Sequence, residues 1–264
     1  MSIQLFLWPI VFIQRTKQKM KKLVFLSLAL TATLFATAQT AKKPTKDWSK
    51  FDFTNRAADH LVIQYGADAW LNRPTALRTG NGFSRHFNVY FMFDKPVKSN
   101  PKYSVAYGIG IGTSHIFFDN TRVDFKSGAP TLQYTAVDSV DHFKKNKATS
   151  IYAEIPAEIR YYSNPENPNK SWKAAIGVKV GSLLKAYTKG KNLINKQGES
   201  VYGTAYIEKN VSKRYINGTS LAVTGRVGYG SLSLHAGYQF NGVLKEGFGP
   251  TMHRLSVGIT LSGL

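Results

Sequence analysis

Residues 232–240 read LSLHAGYQF, and residues 254–262 read RLSVGITLS. In both segments apolar side chains alternate with small or polar ones. A repeat of two is that of a β-strand, because successive side chains of a strand point to opposite faces. A loop from Asn241 to Pro250 joins the segments. They therefore predict a closing β-hairpin with one apolar face and one small, polar face.

The same alternation recurs earlier in the chain, which gives about eight predicted strands. The earlier ones are His60–Trp70, His86–Phe93, Lys102–Phe118, Ser150–Tyr162, Ser171–Tyr187 and a strand marked by Leu221, Val223, Val227 and Tyr229. Their connections run long, short, long, short, long, tight and medium. Outer-membrane barrels have short periplasmic turns and longer outside loops. We predict an all-β fold: a single antiparallel, up-and-down transmembrane β-barrel of about eight strands, after an N-terminal signal peptide.

The small, polar face carries charged residues, which we expect to line a narrow lumen because a charge facing lipid costs ~2–4 kcal/mol at mid-depth. These candidate ion-pair residues are Glu154, Glu158, Arg160, Lys173, Lys179, Arg226 and Arg254. The pattern allows an ion or proton path. Interior ion pairs are favoured, because buried charges need partners. Pro156 also falls on this face, and we expect it to remove a ladder hydrogen bond and to force a bulge.

Residues 1–38 have the pattern of a secretory signal peptide. Lys21 and Lys22 precede an apolar run from Leu23 to Leu34, and residues 36–38 read ATA, which predicts cleavage before Gln39. The true start is Met20 in one interpretation, and residues 1–19 extend the signal in the other. Residues 39–57 are predicted to form a polar periplasmic segment, and residues 58–264 the barrel.

The chain of 264 residues carries a formal net charge of +20 and no cysteine. Residues 1–38 hold five of the basic residues and no acidic one, so the remainder keeps +15. Such a surplus indicates an anionic neighbour or a solvated basic surface. We expect one basic loop to contact lipopolysaccharide phosphates or acidic glycans, although solubility beside an anionic leaflet also explains it. Its candidate residues are Lys189, Lys191, Lys196, Lys209, Lys213 and Arg214. Nucleic acid is excluded for an exported protein.

Catalytic and metal chemistry is not predicted. His235 with Ser231 or Ser233, and His86 with Ser84, are the Ser–His combinations that the sequence offers. A nucleophilic pair also needs an orienting acid and an oxyanion hole, and neither is readable. The histidines lack metal-ligand spacing, and no cofactor motif is present. We expect His235 to fill the lumen.

Three stretches resemble an outer-membrane β-barrel family of Bacteroidetes-type bacteria, the PorT-like barrels. They are RVGYGSLSLHAGY (226–238) with LKEGFGP (244–250) and LSVGITL (255–261); IPAEIRYY (155–162); and FSRHFNVYFMFD (83–94). The resemblance covers residues 59–264 and implies the fold and an outer-membrane location more than an activity.

Three functions remain open from the sequence. The first is a non-enzymatic outer-membrane barrel with a closed lumen, which anchors the envelope or belongs to a secretion- or gliding-type assembly. Its partners would be outer-membrane lipid, lipopolysaccharide, the barrel-assembly machinery and other envelope proteins. The second is a lipid-modifying enzyme of the outer membrane. The third is a soluble periplasmic barrel that binds a small apolar ligand.

Overall fold

A computed structural model of the chain describes residues 60–80, 84–136 and 141–263. The expectations for residues 1–57, including the signal peptide and its cleavage site, lie outside these ranges. Eleven strands occur in the described residues. They are β1 (Leu61–Leu71), β2 (Arg85–Pro96), β3 (Tyr103–Phe118), β4 (Thr121–Asp124), β5 (Gln133–Ala136), β6 (His142–Tyr162), β7 (Trp172–Ile194), β8 (Ile207–Val211), β9 (Thr219–Tyr229), β10 (Leu232–Gln239) and β11 (His253–Ser262).

Eight of the strands form a closed antiparallel ring. The order around the ring is β1, β2, β3, β6, β7, β9, β10 and β11. The last strand returns to the first, with Ile63 opposite Leu261 and Ala69 opposite Leu255. The predicted all-β, antiparallel, eight-stranded barrel is confirmed.

The apolar face points outward, so the barrel is inverted relative to a soluble protein. Leu234 and Ile176 expose 64% and 69% of their surface, whereas His235 and Lys173 expose 6% and 3%. Small soluble barrels fill their interior with apolar side chains, and an outer-membrane barrel has an outward apolar band. The expectation of a soluble periplasmic barrel is therefore wrong.

The connections differ in length between the two ends of the barrel. Residues 97–102, 163–171 and 230–231 form short turns at one end, which we call the turn end; the middle one contains a 3-10 helix, Pro168–Lys170. In the tightest turn Gly230 has a φ of +60°, which favours glycine. The longer connections lie at the opposite end, which we call the loop end. This alternation is the one predicted from the sequence.

Two predicted loops are partly strand. β6 begins at His142 rather than Ser150, and β7 continues to Ile194 rather than ending at Tyr187. β8 then pairs with the end of β7, and β4 pairs with β5 in a separate hairpin. These segments are rich in lysine and asparagine, so apolar alternation does not mark them.

Pro156 is buried on the lumen side, as predicted. The β3–β6 ladder is interrupted there, between the pairs Tyr107–Ala157 and Gly110–Glu154. A proline has no N–H to donate, which explains the gap. The expected bulge is not at Pro156. The register shifts between Ile151 and Tyr152, on the β7 side of the strand.

Aromatic residues gather at both rims of the barrel. At the turn end Tyr103, Trp172 and Tyr229 are exposed on the outer wall, and the rings of Trp172 and Tyr229 lie 5.7 Å apart. At the loop end Trp70 and Phe118 are buried, at 6% and 2% exposure.

No helix within the described ranges is long and apolar enough to cross a membrane.

Candidate functional site: a polar lumen closed at the loop end

The lumen holds all seven charged residues that the sequence placed there, and two further carboxylates, Asp68 and Asp94. Each lies on the inward face of its strand and is buried or partly buried. The alternation of the strands causes this placement, because inward and outward positions differ by one residue. Most of these charges belong to a cluster near the turn end or to a cluster in the middle, and Asp68 begins a separate chain of hydrogen bonds.

The turn-end cluster is centred on Glu158 of β6. Its Oε2 lies 3.0 Å from Nε of Arg160 and 3.3 Å from Nη2 of Arg226 on β9. Arg160 also lies 3.5 Å from Asp94 on β2, and Asp94 accepts a 2.6 Å hydrogen bond from Ser104 on β3. Four strands are thereby joined through polar side chains. Removal of one partner from such a buried pair typically costs about 3–5 kcal/mol.

The middle cluster is centred on Glu154. Its carboxylate lies 3.0 Å from Nζ of Lys179 and 3.9 Å from Nη2 of Arg254, and accepts a hydrogen bond from the hydroxyl of Tyr90. Lys179 donates to the Tyr90 oxygen over 2.9 Å. Gly112 makes room for the carboxylate, because a Cβ atom there would lie 2.4–2.7 Å from it. The cluster spans the lumen from β2 to β11.

Lys173 lies on the inward face of β7 and is buried, at 3% exposure. Its ammonium lies 5.7 Å from the ring centroid of Tyr162, near the turn end. Lys179 is the β7 lysine that pairs with Glu154.

A chain of hydrogen bonds runs from Asp68 across the lumen. The Asp68 carboxylate lies 2.8 Å from Nδ1 of His86 and accepts a second hydrogen bond from Ser114. Nε2 of His86 lies 2.8 Å from Nε2 of His235, and Nδ1 of His235 lies 2.9 Å from the hydroxyl of Thr260. All five residues are buried.

This chain continues through two amides. Gln64 donates to Thr260 over 3.4 Å, and Asn88 donates to Gln64 over 3.1 Å. His235 therefore contacts His86 and Thr260, rather than the neighbouring serines on its own strand. The oxygen of Ser84 accepts from the backbone of Phe117. The structure does not assemble either of the Ser–His combinations that the sequence offered.

The Asp68–His86–His235 contact was not predicted from the sequence. The available sequence signal for this contact was the position of Asp68 on the inward face of the first strand. The distance along the chain from His86 to His235 is 149 residues, so only closure of the barrel brings them together.

The clusters border a small cavity. A cavity of about 20 Å³ lies in the middle of the lumen, lined by polar side chains that include Lys179, His235 and Arg254. A cavity of this size holds one water molecule. In the described part of the lumen, the polar side chains form ion pairs and hydrogen bonds with one another.

The loop end is covered by a hydrophobic cap. Each of its main side chains is at most 6% exposed: Leu77, Phe125, Leu132, Tyr215, Ile216, Val243, Leu244 and Met252. They come from four different connections. Full burial of one such side chain stabilises a fold by roughly 1.5–3 kcal/mol, so the loops have a core of their own.

Hydrogen bonds join the loops of the cap. The Tyr215 hydroxyl donates to the carbonyl oxygens of Ser127 and Ala129, at 2.6 and 3.0 Å. The backbone of Leu132 donates to Phe248, and a β-bridge joins Ile216 to Leu244. The cap was not predicted from the sequence, where the only sign of it is the scattered apolar residues within these connections.

The basic loop residues do not form one group. Lys189 and Lys191 lie in β7, Lys209 lies in β8, and Lys196 lies in the turn that follows β7. Lys213 and Arg214 follow β8, and the Arg214 guanidinium lies 5.7 Å from the ring centroid of Tyr215. Strand pairing brings Lys189, Lys191 and Lys209 together, whereas Lys196, Lys213 and Arg214 lie outside the paired strands.

Across residues 60–80, 84–136 and 141–263, no group of three or more His, Asp or Glu side chains is arranged to hold a metal ion.

Comparison with known proteins gives one family. The family model described as an outer membrane protein beta-barrel domain matches residues 60–250, which is most of the chain. No curated protein matches this chain. The family match and the outward apolar wall agree on location, and the chain is a membrane barrel of the outer membrane. This protein belongs to the outer membrane protein beta-barrel domain family.

Proposed function

We propose that this protein is a non-enzymatic outer-membrane barrel with a sealed lumen, whose role is structural or one of interaction with other envelope components. The observation that carries the proposal is the double closure: charged clusters cross-link the lumen, and the cap covers its loop end. A pore would need a water-filled interior. A barrel closed in this way offers its loops and its outer wall to partners.

The partners in this proposal are outer-membrane lipid, the barrel-assembly machinery and other envelope proteins. The resemblance to PorT-like barrels supports a place in a secretion- or gliding-type assembly, or in envelope anchoring. Export through a signal peptide cleaved before Gln39 belongs to the same proposal.

The enzymatic alternative has one observation in its favour. Asp68 orients His86, as an acid orients a catalytic base in hydrolases. However, the other nitrogen of His86 faces His235 inside the lumen, where no serine contacts it. The pair therefore lies away from the lipid that such an enzyme would modify.

Gene deletion and complementation test the proposal. We expect deletion to impair envelope integrity or protein secretion. A His235→Gln variant that assembles normally should restore the phenotype as fully as the wild type does, because it removes the imidazole but not the barrel. The lipid A composition should be identical in cells that carry the wild-type protein and in cells that carry His235→Gln.

A different result would favour the enzyme. If only the wild type restores the phenotype, and if lipid A acylation changes with it, the proposal of a non-enzymatic role is wrong.

A further inference from the structure

Beyond the ring, three strands continue together at the loop end. The first part of β6, which is nearest this end, pairs with the end of β7, and β8 pairs with β7 on its other side. The register places Lys147 opposite Lys189 and Lys189 opposite Lys209. In the next row Lys145 lies opposite Lys191. We call these five residues the lysine ladder.

The ladder lies on the outer face of the wall. On the inner face, the alternating residues Asn146, Ala148 and Thr188 are buried, at 7%, 3% and 4% exposure. Asn146 there donates to the carbonyl oxygen of Thr121 on β4. The lysines alternate with these residues, so they point away from the lumen.

The carboxylate of Glu208 lies on the inner face of the wall, opposite to the face of the lysine ladder. Glu208 of β8 lies opposite Gly190, accepts a hydrogen bond from Asn210 and lies 3.9 Å from Arg122 on β4. Directly opposite residues of neighbouring strands have Cβ atoms about 4.5–5.5 Å apart, and like charges in such positions destabilise the sheet. A bound anion would relieve this repulsion.

Aromatic rings lie beside the ladder. The Lys209 ammonium is 4.3 Å from the ring centroid of Tyr187, and the Lys147 ammonium is 5.5 Å from that of Phe117. Arg85 of β2 approaches the same Phe117 ring at 5.4 Å. Aromatic side chains with basic ones are typical of the boundary between the hydrocarbon and the headgroups.

An apolar hollow occupies the same strands farther from the loop end. It measures about 590 Å³ and is lined by Ile109 and Ile111 of β3, Ala153 and Ile155 of β6, and Val180 of β7. Ala153 of β6 lies opposite Ser182 of β7, and these two small side chains open the hollow. Along the wall, an apolar hollow is therefore followed by aromatic rings and then by lysines.

We propose that this wall binds a phosphorylated, acylated lipid of the outer leaflet. The lysine ladder holds the phosphate, with Arg85 beside it, and an acyl chain lies in the hollow below. Charge complementarity and continuity with the lipid-facing wall identify a lipid rather than a soluble anion. The site requires the outer-membrane location but not the non-enzymatic role.

Native mass spectrometry of the full chain in a neutral detergent tests this site, with bisphosphorylated lipid A as the probe. The test variant is Lys147→Gln/Lys189→Gln/Lys209→Gln. The matched control is Lys98→Gln/Lys102→Gln/Lys170→Gln, which removes the same charge from the turn end. Each juxtamembrane basic residue contributes several-fold to anionic-lipid binding, so we expect about 100-fold weaker binding in the test variant. Binding to the control should stay within twofold of the wild type.

Two further measurements distinguish the contribution of the lipid headgroup from that of the acyl chain. Dephosphorylated lipid A should bind the wild type as weakly as bisphosphorylated lipid A binds the ladder variant. Ala153→Trp should fill the hollow and weaken lipid A binding without any change in charge. Heat-modifiable migration checks that each variant is folded.

Three results would overturn the proposal. The first is equal loss in the ladder variant and its control, which would indicate general electrostatics. The second is full competition by millimolar inorganic phosphate, which would indicate a site for a free anion. The third is unchanged binding in Ala153→Trp, which would show that the hollow holds no acyl chain.

Discussion

Nε2 of His86 and Nε2 of His235 face each other at 2.8 Å across the lumen. At this distance one nitrogen donates and the other accepts. If both rings are neutral, a single direction satisfies the chain: Thr260 donates to His235, His235 to His86, and His86 to Asp68. The carboxylate at the end of the chain fixes this direction, because an ionised carboxylate only accepts.

Asp68→Ala should destabilise the barrel. It leaves the ring N–H of His86 and the hydroxyl of Ser114 without their acceptor in a buried site, which costs roughly 1–3 kcal/mol for each such group. Urea unfolding in detergent, followed by heat-modifiable migration, measures the change. Asp124→Ala in the β4–β5 hairpin is the control and should leave the midpoint unchanged. Equal midpoints for both variants would contradict the role of Asp68.

Glu158→Ala should have a larger effect, since it leaves two guanidinium groups, those of Arg160 and Arg226, without a shared carboxylate. We expect a loss of about 3–5 kcal/mol in the free energy of unfolding. The exposed Glu246→Ala serves as the control. A double variant with Arg226→Met added should recover part of the loss, because Arg160 keeps Asp94 as its partner. Failure of the double variant to recover would argue against an ion-pair origin.

Leu234→Arg should impair membrane assembly. Leu234 is 64% exposed on the outer wall near the start of β10. An arginine that faces lipid costs up to about 2–4 kcal/mol at mid-depth and less toward the rims, so we expect a partial loss of assembly. Val201→Arg changes an exposed residue of a loop-end connection and should assemble normally. The folded, heat-modifiable band in membrane fractions measures assembly. Normal assembly of Leu234→Arg would contradict the outward orientation of this face.

The mature protein should begin at Gln39. N-terminal sequencing of the chain purified from outer membranes tests the cleavage site predicted after residues 36–38. A chain that begins at Met1 or Met20 would show that the signal is retained. Pro44→Ala, beyond the predicted site, should leave the N-terminus unchanged, whereas Ala38→Leu should abolish cleavage there.

The sequence predicted the wall of the barrel well, because the wall repeats a local pattern. Alternation along residues 232–240 assigns each side chain to the lipid or to the lumen, and the same rule placed Glu154, Arg226 and Arg254 inside. It could not pair them, because the partners depend on how the strands are staggered around the ring. Lys179, for example, meets Glu154 and Tyr90 through three different strands.

The loop end was predicted least well. Lys189 and Lys209 lie in segments without apolar alternation, so strand pairing there has no sequence signal. Tyr215 and Phe125 are isolated apolar residues in polar connections, and only the folded cap shows that they pack together. Such contacts depend on the closure of the barrel, which is a property of the whole chain.

Ion conductance distinguishes a sealed lumen from an open one. The full chain is inserted into planar lipid bilayers and current is recorded over a range of voltages, with an open outer-membrane porin as the positive control. We expect insertion, shown by protease-protected strands in parallel vesicles, without stepwise current. Stable, reproducible conductance steps from the wild-type protein would contradict this expectation, since they require a continuous water path through the charged clusters and the cap.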